Sequence, residues 1–147
     1  MAKTTPSLSL FLGEFRHALD DKKRVTMPAR WRPLCTDGVI IFKNLRHPCL
    51  NVMAPDQFEA LCEKARTDIP AEKSANILRR LTSGAQHIVP DGQGRLLLVD
   101  EHCRQAGLSD EIYLIGVHKH IEIWSSGNWD AVKATNDDEE SAKLLGL

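Results

Sequence analysis

Hydrophobic positions along this chain follow two periods, and the switches between them mark its parts. Phe15, His17 and Leu19 alternate with Arg16 and Ala18, the spacing of a strand with one buried face. A polar bend over 20–23 follows, and Arg24, Val25, Thr26 and Met27 return with β-branched character, so the segment reads as a hairpin. Pro28 ends that strand and suits the first position of a short helix over 29–34. Gly38 reopens extended chain at 39–42, and 50–53 is another short strand. From Pro55 the period becomes helical: Phe58, Leu61, Cys62 and Ala65 share one face of a helix ending near Thr67. Pro70 starts a second helix with Ile77, Leu78 and Leu81 inward, Arg79 and Arg80 outward, and Gly84 as its C-cap.

Strand character then resumes over 85–89, bends through Asp91-Gly92-Gln93-Gly94 and returns over 95–99. Asp100 suits the cap of a short helix that Gly107 ends, strands follow at 112–117 and 121–124, and Ser126 suits the cap of a last helix with Trp129 and Val132 inward. Residues 1–11 form a poorly ordered lead-in that joins a sheet at its apolar end, and the closing Leu144-Leu145-Gly146-Leu147 has no evident partner. The order of parts repeats. Asp20 and Arg24 recur as Asp91 and Arg95, Leu50-Asn51-Val52-Met53 as Ile121-Glu122-Ile123-Trp124, and Phe58 as Trp129, which indicates an internal duplication separated by the helical pair.

Composition narrows the class. With 147 residues, 42% hydrophobic and 27% charged, the chain suits an ordinary globular protein. Halves of roughly 50 residues bury little core alone, so they are expected to share one or to borrow surface from neighbouring copies. No apolar run reaches the roughly 18–20 residues of a membrane span, and the first ten residues lack a signal-peptide core, which points to a cytoplasmic chain with no membrane partner. Cys35, Cys49, Cys62 and Cys103 form no CxxC pair and are read as free, mostly buried thiols. The net charge of −1 conceals an asymmetry: residues 12–53 carry eight Lys/Arg against four Asp/Glu, and residues 86–131 carry three against seven. The first half is therefore expected to present a positive face, and the second half, with Asp137-Asp138-Glu139-Glu140, a negative one.

The repeated Asp-xxx-Arg pair has a structural and a functional reading. An aspartate opening a tight turn accepts turn N–H groups, and an arginine four residues on can fold back to pair bidentately with it. Around the first pair, Lys22, Lys23 and Arg24 are flanked by Arg16 and His17 before and by Arg30 and Arg32 after, a cationic cluster suited to phosphates and to guanine edges. A solvated surface face is the plain alternative. In the second repeat only Arg95 survives, among Asp91, Asp100, Glu101, Asp110 and Glu111, which suits scaffolding better than phosphate contact.

The runs Leu12-Gly13-Glu14-Phe15 and Leu19-Asp20-Asp21-Lys22, then Arg24, then Pro28-Ala29 with Arg32, resemble the first signature of the MraZ family of bacterial transcriptional regulators. Ser83-Gly84-Ala85, Asp91-Gly92-Gln93-Gly94-Arg95 and Ile121-Glu122-Ile123-Trp124 with Trp129 resemble its second, so the match runs over 12–131 in order. The resemblance implies an α+β, β-rich fold: two AbrB-like modules forming a swapped-hairpin β-barrel, at 12–57 and 85–131, a helical insert at 58–84 and an acidic tail at 132–147. It further implies a nucleoid-associated homo-oligomeric ring of about eight or more copies. That ring binds double-stranded DNA at short repeats upstream of its own operon, the division and cell-wall gene cluster, usually as a repressor, with no cofactor and no small-molecule substrate. Asp20, Arg24, Asp91 and Arg95 occupy the turn-organising motif, and Arg24, with Lys22, Lys23, Arg16, Arg30 and Arg32, is expected to contact DNA. Two positions depart from the family pattern: Lys23 stands where glycine is usual, which adds a cation and puts a Cβ where the turn is expected to call for positive φ, and Val99 stands where proline usually starts a helix.

Rival classes have thinner support. His118 and His120 on one strand face, near Glu122, would be half a metal site, but no third ligand is evident. In Asp100-Glu101-His102-Cys103 the adjacent histidine and cysteine point apart on a helix, which disfavours a nucleophile and base. Gly92-Gln93-Gly94 precedes no helix and is a turn rather than a phosphate cradle, so an enzyme is not expected. An AbrB-type antitoxin that represses its own operon, or a protein-interaction ring contacting its partner through the helical insert, is the alternative.

Overall fold

The computed structural model describes residues 8–135 and 138–147; most of the expected lead-in (1–7) and Asp137 of the acidic tail lie outside them. In chain order the strands are β1 (Glu14–Ala18), β2 (Arg24–Thr26), β3 (Val39–Lys43), β4 (Cys49–Met53), β5 (Gln86–Ile88), β6 (Arg95–Leu97), β7 (Glu111–Val117) and β8 (His120–Ser125). A 3₁₀ helix spans Ala29–Cys35, and the α-helices are α1 (Pro55–Asp68), α2 (Ala71–Ser83), α3 (Asp100–Ala106), α4 (Ser126–Lys133) and α5 (Asp138–Leu144). Six strands form one antiparallel sheet in the order β1-β7-β8-β4-β3-β5, and β2 and β6 form a separate two-stranded ribbon.

The hairpin expected over 15–27 closes only at its bend. There Lys23 N–H donates to Asp20 O (2.9 Å) and Asp20 N–H donates to Arg24 O (3.2 Å). Beyond it the arms part: β1 pairs with β7, with Phe15 opposite Leu114, and β2 pairs with β6, with Val25 opposite Leu96. The second bend does the same, sending β5 to β3 and β6 to β2. Each repeat thus lends its leading strand to the other repeat's strands, and the exchange places Val25 (1% exposed) and Leu96 (0%) together over the shared core. Burying two such side chains contributes on the order of 1.5–3 kcal/mol each. The swap is the expected one, but the barrel is not closed. The two ribbon strands, three residues each, bond to one another, leaving β1 and β5 as sheet edges.

One face of the sheet meets the ribbon, the 3₁₀ helix and α3 across a core that includes Ile41, Val52, Ile112 and Ile123. Trp31 fills one end of it, edge-on to Phe11 (5.7 Å) and Phe15 (4.9 Å). The other face is covered in two places. Helices α1 and α2 pack Phe58, Leu61, Ala65 and Leu81 over Phe42 and Met53, and α4 packs Trp129 and Val132 beside Ile115 and Trp124. The two repeats therefore share one core, and strands from both halves are interleaved in its sheet.

Smaller differences have local causes. Val99 and Ser125, rather than Asp100 and Ser126, are the N-caps of α3 and α4, and the Ser125 hydroxyl accepts from Asn128 N–H (3.2 Å). Helix α5, absent from the sequence reading, carries Asp138, Glu139 and Glu140 in its first turn, where negative charge favours a helix. The end of the lead-in does join the sheet: Phe11 bridges to His118 and crosses β7 at Gly116, where a Cβ would fall 2.6 Å from the Phe11 backbone. Among the described residues no helix is long and apolar enough to cross a membrane.

Candidate nucleic-acid interface

Each bend is built by one carboxylate. Asp20 Oδ1 accepts from the backbone N–H of Lys22 (3.0 Å) and Arg24 (2.8 Å), and its Oδ2 accepts from Arg24 Nε (2.8 Å). In the second bend Asp91 Oδ1 accepts from Gln93 N–H (2.9 Å) and Arg95 N–H (2.9 Å), and its Oδ2 from Arg95 Nε (2.8 Å). The ion pair is not bidentate, as the sequence reading expected, because backbone donors occupy the other oxygen. Only Nε is used on each arginine. The Nη groups of Arg24 and Arg95 take no hydrogen-bond partner among the described residues. The backbone N–H of each arginine, foremost, together with its guanidinium, holds the pKa of its aspartate below the ordinary value, so both carboxylates are charged at neutral pH.

The ribbon then sets where these guanidiniums face. Val25 and Leu96, at its centre, point into the core, so Arg24, Thr26, Arg95 and Leu97 share the outer face by strand alternation. The Arg24 and Arg95 side chains are 28% and 27% exposed, equal within any meaningful difference, and Leu97 between them is 56% exposed. The two bends lie at opposite ends of this antiparallel ribbon. Lys22 and Lys23 stand at one end, where Lys23 Nζ meets Asp100 Oδ1 at 3.3 Å. At the other end Arg32, from the 3₁₀ helix, donates its Nε to Met27 O (3.1 Å) and packs against Gly94. The bend that is acidic in sequence therefore has a cation of the first repeat beside it.

The remaining expected contacts are dispersed. Arg30 folds over the Phe15 ring at 5.4 Å from its centroid. Arg16 points to the opposite face of the sheet, where it pairs with Glu111, near Glu14, which Trp129 and Lys133 of α4 hold. So Lys22, Lys23, Arg24 and Arg32 lie along the ribbon with Arg95, and Arg16 and Arg30 lie elsewhere. Arg95 organises its turn as expected, and its place beside Arg24 on the outer face follows from the alternation Arg-Val-Thr against Arg-Leu-Leu in the two returning arms.

The turn departure at Lys23 is real: its φ is 61°, while the equivalent Gly94 has φ 76°. His118 also has positive φ (66°) and sits in the β7–β8 turn, so it does not share a strand face with His120, which meets Glu122. His102 is buried, with Nε2 2.7 Å from Gly84 O, and Cys103 is buried beside it. No three His, Cys, Asp or Glu side chains come together as a metal site among the described residues. Cys35, Cys49 and Cys103 are buried free thiols, and burial pushes Cys35 up to about 11 and Cys49 up to about 12, far from a reactive thiolate.

Comparison with known proteins gives one consistent answer. Residues 81–144 match the family model described as "MraZ protein, putative antitoxin-like". The chain is 37% identical over 123 residues to the transcriptional regulator MraZ of Thermomicrobium roseum, covering 83% of this chain and 86% of that protein. It is 34% identical over 134 residues to the protein of the same name in Mycobacterium avium, covering 90% and 93%. The Roseiflexus castenholzii protein of that name is also 34% identical, over 133 residues, covering 90% and 92%.

Proposed function

The chain belongs to the MraZ family, and we propose that it is a DNA-binding transcriptional regulator that docks the outer face of the β2–β6 ribbon in a major groove. The observation that carries this reading is the pair of equivalent arginines on one outward face, each clamped through Nε and with no partner on its Nη groups among the described residues. A two-stranded ribbon fits the major groove, and an arginine held at its base reads guanine O6 and N7 without first ordering itself. Lys22 and Lys23 at one end and Arg32 at the other fit the two flanking phosphate backbones.

A single protomer offers too few cations to hold DNA at physiological salt. Several copies must then act together, and the family resemblance supplies the form: a homo-oligomeric ring of about eight or more copies on several short repeats upstream of the protein's own operon. Effective concentration then raises apparent affinity on the order of 10² to 10⁴-fold. On this reading the protein is cytoplasmic and nucleoid-associated, is no enzyme, and represses the division and cell-wall gene cluster.

The test is an anisotropy titration with the duplex upstream of the protein's own gene, at several salt concentrations. A steep salt slope and preference over scrambled DNA are expected; equal, weak binding to both sequences overturns the reading. The family model's description favours a second reading, an antitoxin that represses its own operon and neutralises a toxin. Co-purification of one stoichiometric protein partner would favour it.

A further inference from the structure

Leu97 is the unexplained residue of the ribbon. It is 56% exposed on a face otherwise occupied by Arg24, Arg95 and Thr26, although Val25 and Leu96 already supply the ribbon's share of the core. The duplication aligns Arg24 with Arg95 and Thr26 with Leu97, whereas the strand register pairs Arg24 with Leu97 and Thr26 with Arg95. A pseudo-two-fold axis therefore passes through the Val25 and Leu96 pair. It relates two half-faces with the same arginine and different companions, leucine beside Arg24 and threonine beside Arg95.

We infer that Leu97 contacts the methyl group of a thymine adjacent to the guanine read by Arg24, giving each operator repeat a direction that the pseudo-symmetric arginines alone would not impose. This rests on the DNA-binding reading above. Among the groups that base edges present in the major groove, the thymine 5-methyl is the one an isobutyl side chain can match, because leucine neither donates nor accepts a hydrogen bond. Diagonal β-carbons on such a ribbon lie roughly 7–8 Å apart. That is about two base-pair steps at ~3.4 Å each, so each half-face addresses its own step. Thr26 offers a small methyl and a hydroxyl that can donate or accept, so it tolerates any base in the other half and makes no exclusive demand for a thymine. The exposed Val89 (63%) and Leu97 also flank an open groove of about 720 Å³ with Lys22 and Lys23, so a protein contact is the outcome the test must separate.

The experiment replaces each thymine of a bound repeat in turn by deoxyuridine, which lacks only that methyl, and titrates the full chain against the series by anisotropy. One position is expected to weaken wild-type binding about three- to fourfold, the effect of one buried methyl. The Leu97→Ala variant is expected to lose that sensitivity while keeping its sensitivity to the guanine read by Arg24. The Thr26→Leu variant is expected to gain a second sensitive position, related to the first by the pseudo-two-fold axis. A flat deoxyuridine series in the wild type, or a sensitivity that persists in Leu97→Ala, overturns the inference and leaves DNA binding intact. A Leu97→Ala chain with altered assembly mass and unchanged affinity for every duplex makes Leu97 a protein contact and also overturns it. Failure of the wild type to prefer any upstream duplex overturns both readings together.

Discussion

The two bends of this protein have the same hydrogen-bond pattern and different charges between the aspartate and the arginine. Around Asp20 the neighbours are Asp21, Lys22 and Lys23; around Asp91 they are Gly92, Gln93 and Gly94. Yet the carboxylate of each caps its own turn and clamps the arginine four positions on at the same 2.8 Å. A turn of this kind is specified by the first and last residues and by tolerance of positive φ at the fourth. The side chains between take no part in the clamp: the first repeat has Asp21 and Lys22 there, the second Gly92 and Gln93. What the comparison teaches is that local charge does not decide which arginine faces outward. The ribbon does, because pairing β2 with β6 turns both arginines outward together.

The largest effect that could break this equivalence is on DNA affinity. Arg24→Ala and Arg95→Ala are each expected to cost on the order of 1–3 kcal/mol and to relax specificity at one base pair apiece, with assembly mass unchanged. Anisotropy on duplexes varied base by base checks both. A loss for Arg24→Ala with none for Arg95→Ala would reduce the interface to the first bend, and unchanged binding in both would remove the ribbon from it.

How much of this could be read from the residues alone follows the range of the interactions involved. Helices α1 and α2 were legible because Pro55, Pro70 and Gly84 punctuate a helical period that is purely local. The Asp-xxx-Arg clamps were legible for the same reason. The partners of the arms were not. A three-residue strand such as Arg24-Val25-Thr26 carries an inward residue and two outward ones, which fixes its face and says nothing of its neighbour. Whether β2 returns along β1 or crosses to β6 is decided by where Val25 finds apolar surface, some 70 residues away in sequence, so the swap could come only from the family resemblance. The same non-local choice hid Arg32 beside Gly94 and placed Arg16 across the sheet from the ribbon. Arg30 on the Phe15 ring was hidden too, because only the packed β1 brings that ring beneath it.

A smaller effect sharpens the comparison at the fourth turn position. Lys23 at φ 61° holds a side chain where Gly94 holds none, at φ 76°. A left-handed L-residue costs roughly 1–2 kcal/mol, and the lost flexibility of glycine offsets about half of that. Lys23→Gly is therefore expected to stabilise the fold by about 0.5–1 kcal/mol in denaturant melts, because the exposed pair with Asp100 contributes little. The same change is expected to lower the salt slope of DNA binding by about one phosphate contact. Gly94→Ala is expected to run the other way, losing roughly 1–2 kcal/mol of stability. Its new Cβ would lie 2.4 Å from Arg32 Nε, so Arg32 must leave Met27 O. Equal and small shifts in both variants would mean that the turn does not require the left-handed conformation.

The smallest effect is electrostatic and is shared by the two bends. For both Asp20 and Asp91, N–H groups that bind the charged form lower the pKa from the ordinary 3.8, the backbone N–H of Arg24 or Arg95 foremost. A group whose folded pKa is depressed contributes stability that is present above its unfolded value and is lost as pH falls through the folded one. Both bends are therefore expected to be indifferent to pH between about 5 and 8 and to loosen only below about 3.8, with Asp20→Asn and Asp91→Asn each removing part of that acid limb. Carboxyl carbon shifts followed by NMR through acid titration check this residue by residue. Both aspartates should titrate below the ordinary value, and the Nε–H signals of Arg24 and Arg95 should respond in the same window. If one aspartate titrates at an ordinary value, its clamp is not closed in solution, and the arginine it holds would enter the groove unordered, with weaker discrimination at its own base pair.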